Sequence, residues 1–248
     1  MRRYSSVVVL AVVLGLAVVG VVSLFSANAW AQAAAAPAEE VAQTRTMWDN
    51  IKAAGTCGWL QILLSVVGLA LILEDFVSIR REKLIPPHVL SELESLFDEE
   101  QYEEAMDFCD QEDSLLSRLV GGALAKIGGG YARMREAAEG VADEEATTLM
   151  QKISYVSLIA SVEPMMGLLG TVQGMISAFD KIAALKTAVS PSDLADSISL
   201  ALVTTLIGLI VAIPMLSVYM FLRNRVIKLL QEATAITIEL LERFRRAE

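Results

Sequence analysis

The sequence predicts an all-α, multi-pass membrane protein with three long transmembrane helices behind a cleaved N-terminal signal, and a helical cytoplasmic domain extending from them. Three observations carry that prediction. The stretches 153–179 and 198–222 are each longer than the roughly 20 apolar residues that cross a ~30 Å hydrocarbon layer, and a third apolar run fills 57–77. Basic clusters follow the first and last of them, Arg80, Arg81 and Lys83 and then Arg223, Arg225 and Lys228, which marks both following segments as cytoplasmic. The composition, 54% hydrophobic over 248 residues, suits a membrane protein better than a soluble enzyme.

The totals also exclude function classes. A formal net charge of -10 leaves no basic patch to neutralise phosphates, so nucleic acid is not an expected partner. One histidine and two cysteines are too few for a metal centre, and neither a cofactor motif nor a nucleophile–base pair is present, so no catalytic residue is expected. Cys57 and Cys109 flank the first span and fall on opposite sides of the membrane, which precludes a disulfide between them.

Taken in order, residues 1–31 begin Met1-Arg2-Arg3, run apolar from Val7 to Phe25 and reach Ala27-Asn28-Ala29-Trp30-Ala31. This describes a secretory signal cleaved after Ala31 or Ala29; an uncleaved anchor is the alternative, because the run is long for a signal. Residues 32–56 form a periplasmic lead. In the span 57–77, Trp59 sits near the outer interface, and Glu74 and Asp75 read as solvated carboxylates at the inner end. Residues 78–152 form the helical cytoplasmic domain. Pro86-Pro87 breaks a helix, and His88 beside it is read as a loop residue rather than a ligand. Leu96, Tyr102, Ala105, Met106 and Cys109 recur at helical spacing, so this acidic stretch is an amphipathic hairpin and not a carboxylate active site. Gly128-Gly129-Gly130 lacks the Lys-Ser/Thr of a phosphate loop and is a hinge. A long helix from about Asp143 is expected to enter the 153–179 span, with Lys152 at the cytoplasmic boundary. Residues 180–197 are a periplasmic loop containing a Ser-Pro-Ser-Asp helix start, and 223–248 close the chain as an amphipathic cytoplasmic helix. The mature N-terminus is then periplasmic and the C-terminus cytoplasmic.

The second and third spans carry more than lipid-facing helices need. Glu163, Gly167, Gly170, Gly174 and Ser177 fall within roughly 40° of one face of the second span, with Thr171 at its edge; Ala201, Thr205, Gly208 and Ala212 form a comparable stripe on the third. Counted inward from Asp180 and Asp196, Thr171 and Thr205 both lie roughly 13 Å below one surface. The glycines read as packing seams; for the threonines, packing or bonding to their own backbone stands beside a polar lining for ions or protons.

The run Pro164-Met165-Met166-Gly167-Leu168-Leu169-Gly170-Thr171-Val172-Gln173-Gly174-Met175-Ile176, followed by Ala201-Leu202-Val203-Thr204-Thr205-Leu206-Ile207-Gly208-Leu209-Ile210-Val211-Ala212-Ile213-Pro214, resembles the signature of the MotA/TolQ/ExbB proton channel family, closest to its ExbB and TolQ branch. The likeness extends over about residues 57–230, including an acidic helix with Glu104-Ala105 and Cys109 leading to Ser117-Arg118. It implies an inner-membrane homo-oligomer, a pentamer in the family, embedded in membrane lipid. Its second and third spans surround a single-span partner of the ExbD or TolR type, and protons reaching an aspartate of that partner drive a TonB- or TolA-like protein. By the same resemblance the motif threonines are Thr171 and Thr205; Thr204 and Glu163, polar groups inside the same spans, join them as pathway candidates, and Gly167, Gly170, Gly174, Gly208, Pro164 and Pro214 are the packing residues. Two departures stand out. Many ExbB and TolQ members have a glutamate where this chain has Leu200, and a small residue where it has Glu163. Counted from Asp180, Glu163 lies about 26 Å down, near the cytoplasmic face, as a proton exit, a salt-bridge partner or an interfacial carboxylate. A non-conducting scaffold and a MotA-like stator are the alternative functions.

Overall fold

The computed structural model describes residues 55–184 and 191–245; the signal segment 1–31, most of the lead, residues 185–190 of the loop and the last three residues lie outside the described set. Every described element is helical: α1 Gly55–Ser78, α2 Arg81–Leu84, α3 Pro87–Asp98, α4 Tyr102–Gln111, α5 Leu115–Leu124, a 3₁₀ turn Ile127–Gly129, α6 Gly130–Ala184 and α7 Pro191–Arg245. Helices α1, α6 and α7 each contain a segment long and apolar enough to cross a membrane. The chain divides into two compact units, one of residues up to Leu69 with Val156–Val218, the other of Ala70–Tyr155 with residues from Tyr219 onward.

The second unit has a conventional core of large side chains. Leu93, Phe97, Leu115, Leu116, Leu119, Leu124, Met134, Ile153, Leu222 and Leu241 are fully buried. Phe97 meets Tyr102 and Phe244 edge-on, with ring centroids 5.7 and 6.1 Å apart, and Tyr102 lies 4.6 Å from Phe244. Such edge-on contacts set positive ring edges against negative faces. Helix ends are fixed locally. Pro87 opens α3 where no amide hydrogen bond is lost. Ser114 caps α5, its hydroxyl accepting from the Ser117 amide at 3.1 Å. Helix α3 closes with the Gln101 amide on the Leu96 carbonyl and the Glu100 amide on that of Phe97, which forces Glu100 to φ 59°. That is the left-handed closure usually given to glycine. Arg118 grips Glu145 through two hydrogen bonds, 2.5 and 3.0 Å, and also pairs with Asp113.

Several sequence expectations change here. Helix α6 starts at Gly130, close to the expected start near Tyr131, and runs unbroken through Asp143, where a separate helix is expected to begin; Gly130, at φ 78°, is the one member of the glycine triplet whose backbone demands glycine. His88 lies in the first turn of α3, its Nε2 3.7 Å from Glu112 Oε2, rather than in a loop. Asp75 is 2% exposed and is not an interfacial carboxylate like its neighbour Glu74, which pairs with Lys152 at 2.9 Å. The reason is helical phase: Asp75 lies three residues after Ile72 and four before Ile79, both buried, so it shares their inward face.

Candidate functional site

In the first unit three helices meet over small residues. A Cβ placed on Gly167 would lie 2.8 Å from Thr205 Cα, one on Gly208 would lie 2.6 Å from the Glu163 carbonyl oxygen, and one on Gly170 would lie 2.6 Å from Thr204 Oγ1. Backbone therefore touches backbone, as small residues permit where membrane helices cross. As residue numbers rise along α6 their contacts fall along α7, so the two run antiparallel. Gly170 meeting Thr204 and Gly167 meeting Thr205 put Thr171 and Thr205 within about one helical turn of each other in height.

The seam differs in detail from the stripes drawn on the sequence. On α7 the buried set is Ala201, Thr204, Gly208, Ala212 and Met215, which centres the face on Thr204's side and leaves Thr205 at its edge. Met215 lies on the same side, about 20° from Thr204 and about 80° from Thr205 around the helix. Thr204 Oγ1 donates to the Ala201 carbonyl at 2.7 Å, with the Gly167 carbonyl of α6 at 3.3 Å. On α6 Thr171 is buried, not peripheral, and its hydroxyl donates to Leu168 at 2.6 Å; Ala178, not Ser177, continues the face, and Gly174 is half-buried. Thr205 Oγ1 is buried and has no hydrogen-bond partner among the described residues. Pro164 and Pro214 lie within α6 and α7, where each withholds one amide from the helix ladder.

Two participants escaped the sequence. Gln61 of α1 is 1% exposed, and its Nε2 donates to the Thr204 carbonyl at 3.1 Å and to the Glu163 carbonyl at 3.5 Å. Those carbonyls stand one helical turn before Gly208 and Gly167, the two glycines whose missing side chains make room for the amide. Its signal was present: one amide in the apolar run Gly58–Leu73. Gly68 is the second; a Cβ there would lie 2.1 Å from Met215 Cε. At the end of α1 that carries Cys57, the thiol donates to Gln173 Oε1 at 3.2 Å.

Glu163 needs a larger correction. It is 0% exposed, and neither carboxylate oxygen has a hydrogen-bond partner among the described residues. Its level against α1 is set by Gln61, four residues from Cys57, which reaches its carbonyl. Along α6, Glu163 is ten residues, about 15 Å, from Gln173, which bonds Cys57. Helix α6 continues past Asp180 to Ala184, and the level of Cys57 is matched by Gln173.

Three membrane-length helices, packed through glycines around buried hydroxyls, an amide and a carboxyl, define a polytopic helical membrane protein with a polar interior. Residues 111–235, half of the chain, match the MotA/TolQ/ExbB proton channel family, and the chain belongs to it. It is 26% identical over 183 residues, 73% of its length, to an ExbB homolog of Methanothermobacter thermautotrophicus. It is 37% identical over 82 residues, 33% of its length, to the biopolymer transport protein exbB1 of Vibrio cholerae. Over 84 residues, 34% of its length, it is 37% identical to the Tol-Pal system protein TolQ of Haemophilus influenzae. The matches span 64%, 36% and 36% of those proteins. Such relatives and three membrane-length helices fit a bacterial inner-membrane protein.

Proposed function

We propose that this chain is the channel-forming subunit of an energy-transducing complex of the ExbB/TolQ kind, conducting protons down their gradient. It works with a single-span ExbD/TolR-like partner, and through it a TonB/TolA-like protein, to power outer-membrane transport or envelope maintenance. The subunit forms a homo-oligomer, a pentamer by resemblance, and is not an enzyme. Spans 57–77, 153–179 and 198–222 cross the inner membrane; 78–152 and 223–248 are cytoplasmic and 180–197 periplasmic. Thr171, Thr204, Thr205 and Glu163 line or adjoin the proton route, while the glycines and the two prolines shape the helices.

The observation that carries this reading is the burial of the motif threonines between helices. A hydroxyl both donates and accepts, so it can order a file of water and solvate a titrating partner carboxylate without trapping the proton itself. The complex, reconstituted with its partner in liposomes, is compared with a Thr171→Val, Thr205→Val double variant. Flux is expected to fall roughly tenfold, as when about 1.4 kcal/mol of stabilisation along the route is lost, with the oligomer intact. Unchanged flux in intact complexes overturns the hydroxyl-lined route, and no flux from the intact wild-type complex favours the non-conducting scaffold.

A further inference from the structure

Between Lys152 and Asp180 the sequence places one charged side chain on α6, Glu163. The helices beside it offer none: α1 has no charged residue from Gly55 to Leu73, and α7 none from Ser197 to Leu222. Among the titratable groups of the same unit, the Cys57 thiol is bonded to Gln173; Asp180 and Lys181 lie at least seventeen residues along α6, and Asp193 and Asp196 at least twelve before Gly208. The Glu163 side chain is closed off from solvent, and both its oxygens lack a donor among the described residues. Gln61 directs its amide nitrogen at two backbone carbonyls, and its Oε1 is left unpaired as well. Acceptors therefore outnumber donors around this seam.

An ionised carboxylate so placed meets no cation among the described residues, and such a charge is strongly disfavoured inside a membrane. A proton cancels the charge and turns one acceptor oxygen into a donor. Resting on the proton-channel reading above, we propose that Glu163 is a proton-binding group inside each subunit, its carboxylate taking up one proton from the channel water and returning it. Gln61 is a positioning residue: by joining α1 to the α6 and α7 backbones it fixes the helices around the carboxyl.

The test uses the complex in a bilayer, with isotope-labelled glutamate, followed by infrared difference spectroscopy as the bulk pH is stepped. A protonated-carboxyl band is expected at neutral pH, absent in Glu163→Gln and displaced in Gln61→Leu. Proton flux in Glu163→Gln is expected to fall roughly tenfold with the oligomer intact. Should that variant fail to assemble, Glu163→Asp keeps the charge, and a shift in the pH midpoint of its band supports the assignment; an unmoved midpoint overturns it. An ionised Glu163 at neutral pH means that a cation from another chain holds the site and overturns the proposal, as does a protonated Glu163 whose removal leaves flux unchanged. If the wild-type complex conducts no protons, the channel reading fails by itself. The infrared titration then still decides the site: a pH-responsive band supports proton binding and a silent one overturns it.

Discussion

The two units solve packing in opposite ways. Around Leu119, Phe97 and Phe244 the chain fills space with large side chains, and stability follows from the apolar surface withdrawn from water. Between α1, α6 and α7, near Gly167 and Gly208, it removes side chains so that backbones touch and an amide can bridge them. In lipid the apolar surface gains little by leaving its surroundings, so close contact and buried hydrogen bonds hold the helices instead. The polar groups that water-soluble cores exclude are in this way admitted to the seam.

Substitutions can break that contrast. Leu119→Ala, in the filled core, is expected to cost about 2–5 kcal/mol in thermal or denaturant unfolding, the usual loss for a fully buried leucine. Gly208→Ala should cost about 1–3 kcal/mol, because its Cβ would press on the Glu163 backbone, which cannot rotate away. Gly68→Ala, whose neighbour is the flexible end of Met215, should cost visibly less. If the two glycine variants unfold alike, the seam is not held by backbone contact. Thr204→Val should cost about 1 kcal/mol, the worth of an ordinary hydrogen bond, and is read best as loss of unfolding stability in detergent.

Smaller effects sharpen the same comparison in the second unit. Burial, with Asp110 beside it, pushes the Cys109 thiol from its usual 9.0 up to about 12. The folded protein thus keeps the neutral thiol, and this contribution is complete below about pH 9 and lost as pH rises towards about 12. Alkylation at pH 8 should accordingly leave Cys109 unmodified until the protein unfolds; rapid labelling of folded protein would refute its burial. Glu100→Gly should stabilise by about 0.5–1 kcal/mol, since glycine accepts the left-handed backbone that closes α3.

The sequence by itself determined the spans, the glycine and threonine runs and the resemblance they carry, because hydropathy over 20 residues and a local motif need no knowledge of neighbours. The signal segment and the loop residues 185–190 lie outside the described structure, as does the Leu200 side chain, so those expectations stand where the sequence put them. Tertiary structure alone decided that Thr204 rather than Thr205 faces the seam, that Gln61 bridges three helices, and that the Glu163 carboxylate is buried with no hydrogen-bond partner among the described residues. Helical phase read from one strand of sequence tells which residues share a face. How far each helix slides and turns against the next is fixed only when backbones meet, here at Gly167 and Gly208, and that sliding sets the depth of every polar group between them.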